Sequence, residues 1–250
     1  MVRFGFSLAL MLSLCTSAHA AGWGSVEGQI VLDGEVPAPA FLVKKGDMTV
    51  KDAAVCAAEG VPDDSMAFDP ETKGIANVIV YLQKKPSKIH PDLKASAEKT
   101  VIFDQVRCNF VPHCLIVRTD QTIICKSDDS VAHNLHTNPF ANIAQNFIVQ
   151  PNDQTGTPIK MTIAERNPVK VQCDIHPWMG AYWVVLDHPY AAITDKEGKF
   201  KIENLPEGSH DFRVWNSKAG NIEKKLTVKI KGGETTKLPV KKVSLSEFTK

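Results

Sequence analysis

The sequence predicts an all-β protein, and three observations predict it. Short apolar runs rich in β-branched residues recur along the chain, among them "GQIVL", "NVIVYL", "CLIVR", "TIICK", "NFIVQ", "VKVQC", "YWVVL", "DFRVW" and "LTVKI". Gly, Pro, Asn and Asp punctuate them, and the 15 prolines are scattered, as in sandwiches built of many short strands. Only residues 48–60, "MTVKDAAVCAAEG", carry the Ala-rich spacing of a helix, ending at Gly60.

Taken in order, the chain opens with twenty residues in which Arg3 precedes an apolar run and Ala18-His19-Ala20 follows it. This is the pattern of a signal peptide cleaved near residue 20, with the mature chain starting at Ala21. Cys15 is a poor lipidation site, because Leu14 before it is large. No later segment has the length of a membrane span. The expectation is a periplasmic or secreted protein. Without Arg3 the basic residues fall from 29 to 28 and equal the 28 acidic ones, which excludes neither sign of partner but gives no reason to expect nucleic acid or an anionic membrane. Five cysteines remain, Cys56, Cys108, Cys114, Cys125 and Cys173, and an odd number in an oxidising compartment leaves at least one thiol for another task.

Residues 24–83 hold two convincing strands, "GSVEGQIVLDG" and "IANVIVYL", too few to bury a core alone. Residues 84–99, "KKPSKIHPDLKASAEK", are polar and read as a linker. Residues 100–188 hold a dense set of strands and residues 191–243 another. The two-strand piece at the front therefore needs a partner.

The chemistry concentrates in "VQCDIHPWMG", residues 171–180. Strand-like runs flank it, and Pro177 and Gly180 disfavour a helix, so Cys173, His176 and Met179 lie on a turn between strands. Thiolate, imidazole and thioether are soft to borderline donors; with a second histidine they make the set that suits electron-transfer copper. His113, His133 and His136 are the upstream candidates for that histidine. A tetrahedral zinc site from His133-x-x-His136 and Cys173-x-x-His176 is the competing arrangement, one that leaves Met179 as core filling.

The run "FVPHCLIVRTDQTIICKSDDSVAHN", residues 110–134, resembles the cupredoxin pattern F-x-P, L-x-V, I-x-F-x-N, H-N, with Phe110, Pro112, Val117, Ile123, His133 and Asn134 at the family's positions. The later "CDIHPWM" resembles the ligand loop of amicyanin- and plastocyanin-like type 1 blue copper proteins, including the proline after the second histidine. The resemblance spans residues 101–187 and implies a Greek-key sandwich holding one type 1 copper through His133, Cys173, His176 and Met179. It also implies that Asn134 hydrogen-bonds the cysteine sulfur through its backbone or ties the two ligand loops together. By the same resemblance Pro177, Trp178 and Gly180, with Phe140, form the patch on which a redox partner docks. Asp120, Cys125 and Ser127 depart from the family, standing where it has a turn glycine, an aromatic and an asparagine.

Residues 191–216, "AAITDKEGKFKIENLPEGSHDFRVWN", resemble the carboxypeptidase-regulatory-like sandwich, an Ig/transthyretin-like fold with the pattern T-D-x-x-G-x-F-x-I, L-P-x-G, V-W. The early strands of that family match 24–34 and 75–82. The implied organisation is a copper domain at 100–188, joined by the 84–99 linker and inserted into a discontinuous sandwich of 24–83 plus 191–243. The combination resembles bacterial methylamine-utilisation-type proteins. Cys56 and Cys108 are the pair expected to staple the front segment to the copper domain. The function so implied is an exported single-copper electron carrier serving a cytochrome or a periplasmic dehydrogenase. No nucleophile with a base, carboxylate pair or phosphate loop points to an enzyme. A copper delivery or storage protein and a cell-surface binding module with a secondary metal site are the alternatives.

Overall fold

The structure, a computed structural model, describes residues 22–249; the expected signal peptide and Cys15 lie outside the described residues. The chain forms four stacked β-layers. Sheet I holds Trp23–Asp33, Lys199–Pro206, Thr235–Lys237 and Lys241–Ser244. Sheet II holds Ile79–Leu82, Ala191–Ile193, Gly208–Asn216 and Gly220–Ile230. Sheet III holds Cys114–Arg118, His133–Asn138, Asn146–Val149, Val169–Gln172 and Gly180–Leu186. Sheet IV holds Thr100–Val106, Asn109–Val111, Thr122–Cys125 and Thr157–Ile159.

Sheets I and II enclose one core, with Val26, Ile30 and Leu32 facing Val80, Leu82 and Phe212. Sheets III and IV enclose another, in which Phe103 stacks on Phe110 and meets Trp183 edge-on. A third cluster, Ile79, Tyr81, Cys114, Val184 and Leu186, fills the space between sheets II and III. Period-two alternation explains how one strand serves two cores. In Ile79–Leu82, all four residues are buried, with Val80 and Leu82 on one face and Ile79 and Tyr81 on the other. In Gly180–Leu186, Trp183 and Val185 face sheet IV, whereas Val184 and Leu186 face sheet II. The two sandwiches therefore share a dry interface and are not merely tethered.

Both front strands pair with strands that follow residue 190. Trp23–Asp33 runs antiparallel to Lys199–Pro206, and Ile79–Leu82 lies between Ala191–Ile193 and Gly208–Asn216. The T-D-x-x-G motif is the joint. Thr194 Oγ1 donates to Ile75 O at 2.7 Å and accepts from Val78 N at 2.9 Å, while Gly198 O accepts from Ile30 N at 2.9 Å. Gly198 has φ +75°, and a Cβ there would sit 2.0 Å from Ile30 O, so only glycine fits.

The linker packs as well. Ile89 and Leu93 lie against the core of sheets I and II, and Ser96 donates through N and Oγ to the Asp120 carboxylate, both at 2.7 Å. Asp120 thus anchors the linker.

Two expectations are corrected. Residues 41–62 do not belong to the sandwich of sheets I and II: Val43, Cys56, Ala57 and Val61 are buried in the core of sheets III and IV. They form a strap whose ends pair as a small hairpin, Phe41–Val43 with Val61–Pro62. The expected 48–60 helix is reduced to Ala53–Cys56, because Asp52 takes a left-handed conformation at φ 52° that an α-helix cannot continue through. Among the described residues no helix is long and apolar enough to cross a membrane.

Because Ile79 and Leu82 face different cores, Ile79→Ala and Leu82→Ala should each lower unfolding stability by about 2–5 kcal/mol in urea titrations. A sheet II with one face in water would show only the second effect.

Candidate metal centre

Three elements meet at one end of the sandwich of sheets III and IV: the start of His133–Asn138, the turn 173–179, and the two-residue hairpin loop Arg107-Cys108. His133 Nδ1 lies 3.0 Å from His176 Nδ1, and Cys173 Sγ lies 3.9 Å from the latter. One ligand atom from each of His133, Cys173 and His176 falls within 4.8 Å of the others, and all three residues are buried. The structure therefore brings together both histidines and the cysteine singled out in the sequence.

Each imidazole is held from behind by a carboxylate. His133 Nε2 is 2.7 Å from Asp129 Oδ2, and His176 Nε2 is 2.9 Å from Asp52 Oδ2. A carboxylate only accepts, so it fixes the proton on Nε2 and turns the Nδ1 lone pair inward. Two nitrogens 3.0 Å apart need a cation between them, a proton on His133 in the metal-free protein or a metal ion in its place. Two nitrogens bound about 2 Å from a common ion, roughly 100° apart, are separated by about 3 Å, so the spacing fits a shared metal.

Asp129 is itself satisfied. Arg107 N and Cys108 N donate to its two oxygens at 2.6 and 2.7 Å. Those residues have φ 52° and 54°, the left-handed pair of a tight hairpin turn, which aims both amides the same way. Burial works against ionisation of Asp129, but its bonds to His133 and these amides hold it below the usual carboxylate range. Burial alone would lower the His133 imidazole; Asp129 and the Cys173 sulfur outweigh it and carry it up to about 9.

The sulfur receives donors on several sides. Asn134 N is 3.3 Å and His176 N 3.4 Å from Cys173 Sγ. Burial pushes the thiol up, but His133, His176 and these amides bring it down to about 6, so the thiolate is stabilised where a ligand must be deprotonated. Asn134 also ties the loops, since its Oδ1 accepts from Asp174 N at 3.0 Å. Met179 is buried in the same core, and its amide donates to His176 O at 2.9 Å.

His136 lies on the opposite face of its strand from the centre, with Nδ1 3.0 Å from Asp174. His113 is turned away, bonded to Gly180 O and Ser217. A second trio, Cys108, Asp129 and His133, shares His133, but Cys108 is bonded to Cys56 in a disulfide with Cα atoms 5.1 Å apart. Among the described residues Cys114, Cys125 and Cys173 are free. Burial pushes the Cys114 and Cys125 thiols up to about 12, consistent with inert core packing.

The expected docking patch is not assembled. Phe140 is 97% exposed but follows the far end of His133–Asn138, where its amide donates to Glu165. Pro177 is exposed beside the centre, Gly180 opens a sheet III strand, and Trp178 is half-buried, its indole donating to Cys108 O at 3.1 Å. The His176 side chain is 0% exposed, with Asp52 at its Nε2 edge and the Trp178 ring against it. Asp52 and Asp129 are the site residues that the sequence reading missed. Asp129 stands four residues before His133, but nothing local marks either aspartate among the acidic residues of the chain.

Comparison with solved structures finds similarity over part of the chain. A reduced Cu(I) form of an amicyanin mutant is 18% identical and matches 36% of this chain and 85% of its own, with a TM-score of 0.31. A purple cupredoxin from Nitrosopumilus maritimus is 18% identical, matching 35% of this chain and 99% of its own at a TM-score of 0.28. A copper-containing nitrite reductase from Thermus scotoductus is 18% identical and matches 40% of this chain and 25% of its own, also at 0.28. No family model and no curated protein matches the chain.

Removing the Asp129 carboxylate strips the acceptor from the buried Cys108 amide, the Arg107 amide and a buried imidazole. Asp129→Ala should cost about 3–5 kcal/mol in urea unfolding of the metal-free protein, as for a broken buried ion pair. Asp174→Ala, at an exposed carboxylate beside the half-buried His136, should leave the unfolding midpoint unmoved.

Proposed function

We propose that this chain is an exported mononuclear copper protein that carries single electrons. The observation that carries the reading is the pair of Nδ1 atoms 3.0 Å apart beside the Cys173 sulfur, each ring backed by a carboxylate. His133, His176 and Cys173 would hold the metal, with Met179 as the weak fourth donor. Copper bound there supplies one-electron exchange between Cu(I) and Cu(II). The protein's own part is to keep three donors fixed and dry. Burial excludes water, Asp129 and Asp52 hold the imidazoles in one tautomer, and the amides of Asn134 and His176 withdraw charge from the thiolate, which tunes the potential.

Copper is favoured over zinc by the donor set. One thiolate, two imidazoles and a buried methionine match electron-transfer copper, whereas the zinc alternative needs His136, which faces Asp174 on the other side of the strand. Export is supported by the Cys56–Cys108 disulfide, a bond that persists in oxidising compartments. A cytochrome or a periplasmic dehydrogenase is the class of partner that fits, through a small and transient contact.

Loading the purified mature protein with Cu(II) tests the reading. An intense thiolate-to-copper band in the visible spectrum should appear and vanish in Cys173→Ser and His133→Ala, while His136→Ala retains it. A protein that takes up only zinc and stays colourless would overturn the proposal.

A further inference from the structure

The strap that caps the metal end is tied to it by two contacts, and a third contact joins the two anchor points to each other. Cys56 is bonded to Cys108 across 52 residues, Asp52 meets His176 across 124 residues, and Trp178, next but one to His176, donates to the carbonyl of that same Cys108. The Trp178 ring also lies against the His176 ring, with centroids 5.1 Å apart. The strap itself is compact: Gly46 N donates to Ala57 O at 2.8 Å, and Cys56 N to Asp52 O at 2.9 Å. Its inner residues Cys56 and Ala57 are buried on the core, while Lys44, Lys45, Met48 and Lys51 face solvent.

Asp52 is placed for its task by local conformation. It sits at φ 52°, immediately before the short helix Ala53–Cys56, yet its side chain caps none of that helix's amides. An aspartate at a helix start ordinarily accepts from the first-turn amides. Here the carboxylate is turned instead to the imidazole, and the side chain remains 34% exposed while the ring it covers is 0% exposed.

We infer that residues 44–60 are a tethered cap in which Asp52 is a positioning residue for His176, closing the imidazole edge to solvent and to direct contact with a redox partner. The inference rests on the reading of His176 as a ligand only for its consequence on potential; the closure itself stands on the contacts above. The disulfide makes the cap a permanent part of the centre, and the Asp52 carboxylate sets how often the edge opens. Electrons that leave through His176 must then pass the cap or wait for it to lift.

Acylation by diethyl pyrocarbonate, read residue by residue by mass spectrometry, tests the closure in the metal-free full chain. His176 should be protected in the wild type to the same degree as the fully buried His133, with His136 as the reactive control. Asp52→Ala should raise the His176 rate roughly ten- to hundredfold, the change in opening ratio that loss of one hydrogen bond to a charged group gives, and leave His133 protected. Wild-type acylation at the rate of His136, or no change in Asp52→Ala, overturns the cap. Should Asp52→Ala not fold, reduction of the wild type by a dithiol makes the same test, with acceleration at His176 expected and its absence counting against the tether.

In copper-loaded protein the positioning role is read from the midpoint potential. Asp52→Asn keeps the side-chain volume and an acceptor oxygen but loses the charge, so the potential should rise while acylation stays slow. A potential unmoved in Asp52→Asn would reduce Asp52 to a steric cover. Failure to bind copper at all would sink the proposed function and leave the acylation result standing.

Discussion

Burying two imidazoles and a thiolate together is possible only if their remaining polar atoms are satisfied, and most of the architecture around the centre serves that constraint. His133 needs an acceptor at Nε2 and finds Asp129. Asp129, dry itself, needs donors and finds the Arg107 and Cys108 amides. Those amides converge because the hairpin turn adopts two left-handed residues, neither of them glycine, a conformation that surrounding structure must hold. The Cys56 disulfide and the Trp178 indole both grip that turn at Cys108. Each satisfied group thus creates the requirement met by the next.

The layered fold gives this chain of contacts a rigid base. Sheet III, which supplies His133 and the strands flanking the 173–179 turn, is covered by sheet IV on one face and, at its strands Cys114–Arg118 and Gly180–Leu186, by sheet II on the other. Such a sheet cannot flex toward solvent without opening a core, and interiors this closely packed transmit displacement rather than absorb it. The second sandwich therefore acts at least as a buttress. Its own front strand is locked to its late strands through Thr194 and Gly198, so the segment between them is held at both ends.

On the proposed function, the strap changes what the centre would present to a partner. A surface with a protruding imidazole edge would hand electrons over by direct contact; here that edge meets Asp52. The residues facing outward at this end include the strap, Pro177, Arg107 and Asp174. Phe140, the most exposed large apolar side chain of the described residues, stands at the opposite end of the sheet and plays no part at the metal end.

Much was legible in the sequence because it is local. Strand alternation, the turn at Pro177 and Gly180, and the soft donors at Cys173, His176 and Met179 are written in short runs, so composition and spacing alone marked an all-β protein with a ligand loop. The His133–Asn138 strand, "HNLHTN", was opaque, because its polar residues are buried by partners rather than by hydrophobicity. Asp129 and Asp52 were opaque for a related reason: an aspartate is an ordinary surface residue until the fold sets it 2.7 or 2.9 Å from an imidazole, in one case 124 residues away. The sequence by itself determined which side chains could bind a metal. Only the tertiary structure decided that they are buried, backed by carboxylates and covered by a strap, since those properties depend on contacts between segments that no local pattern encodes.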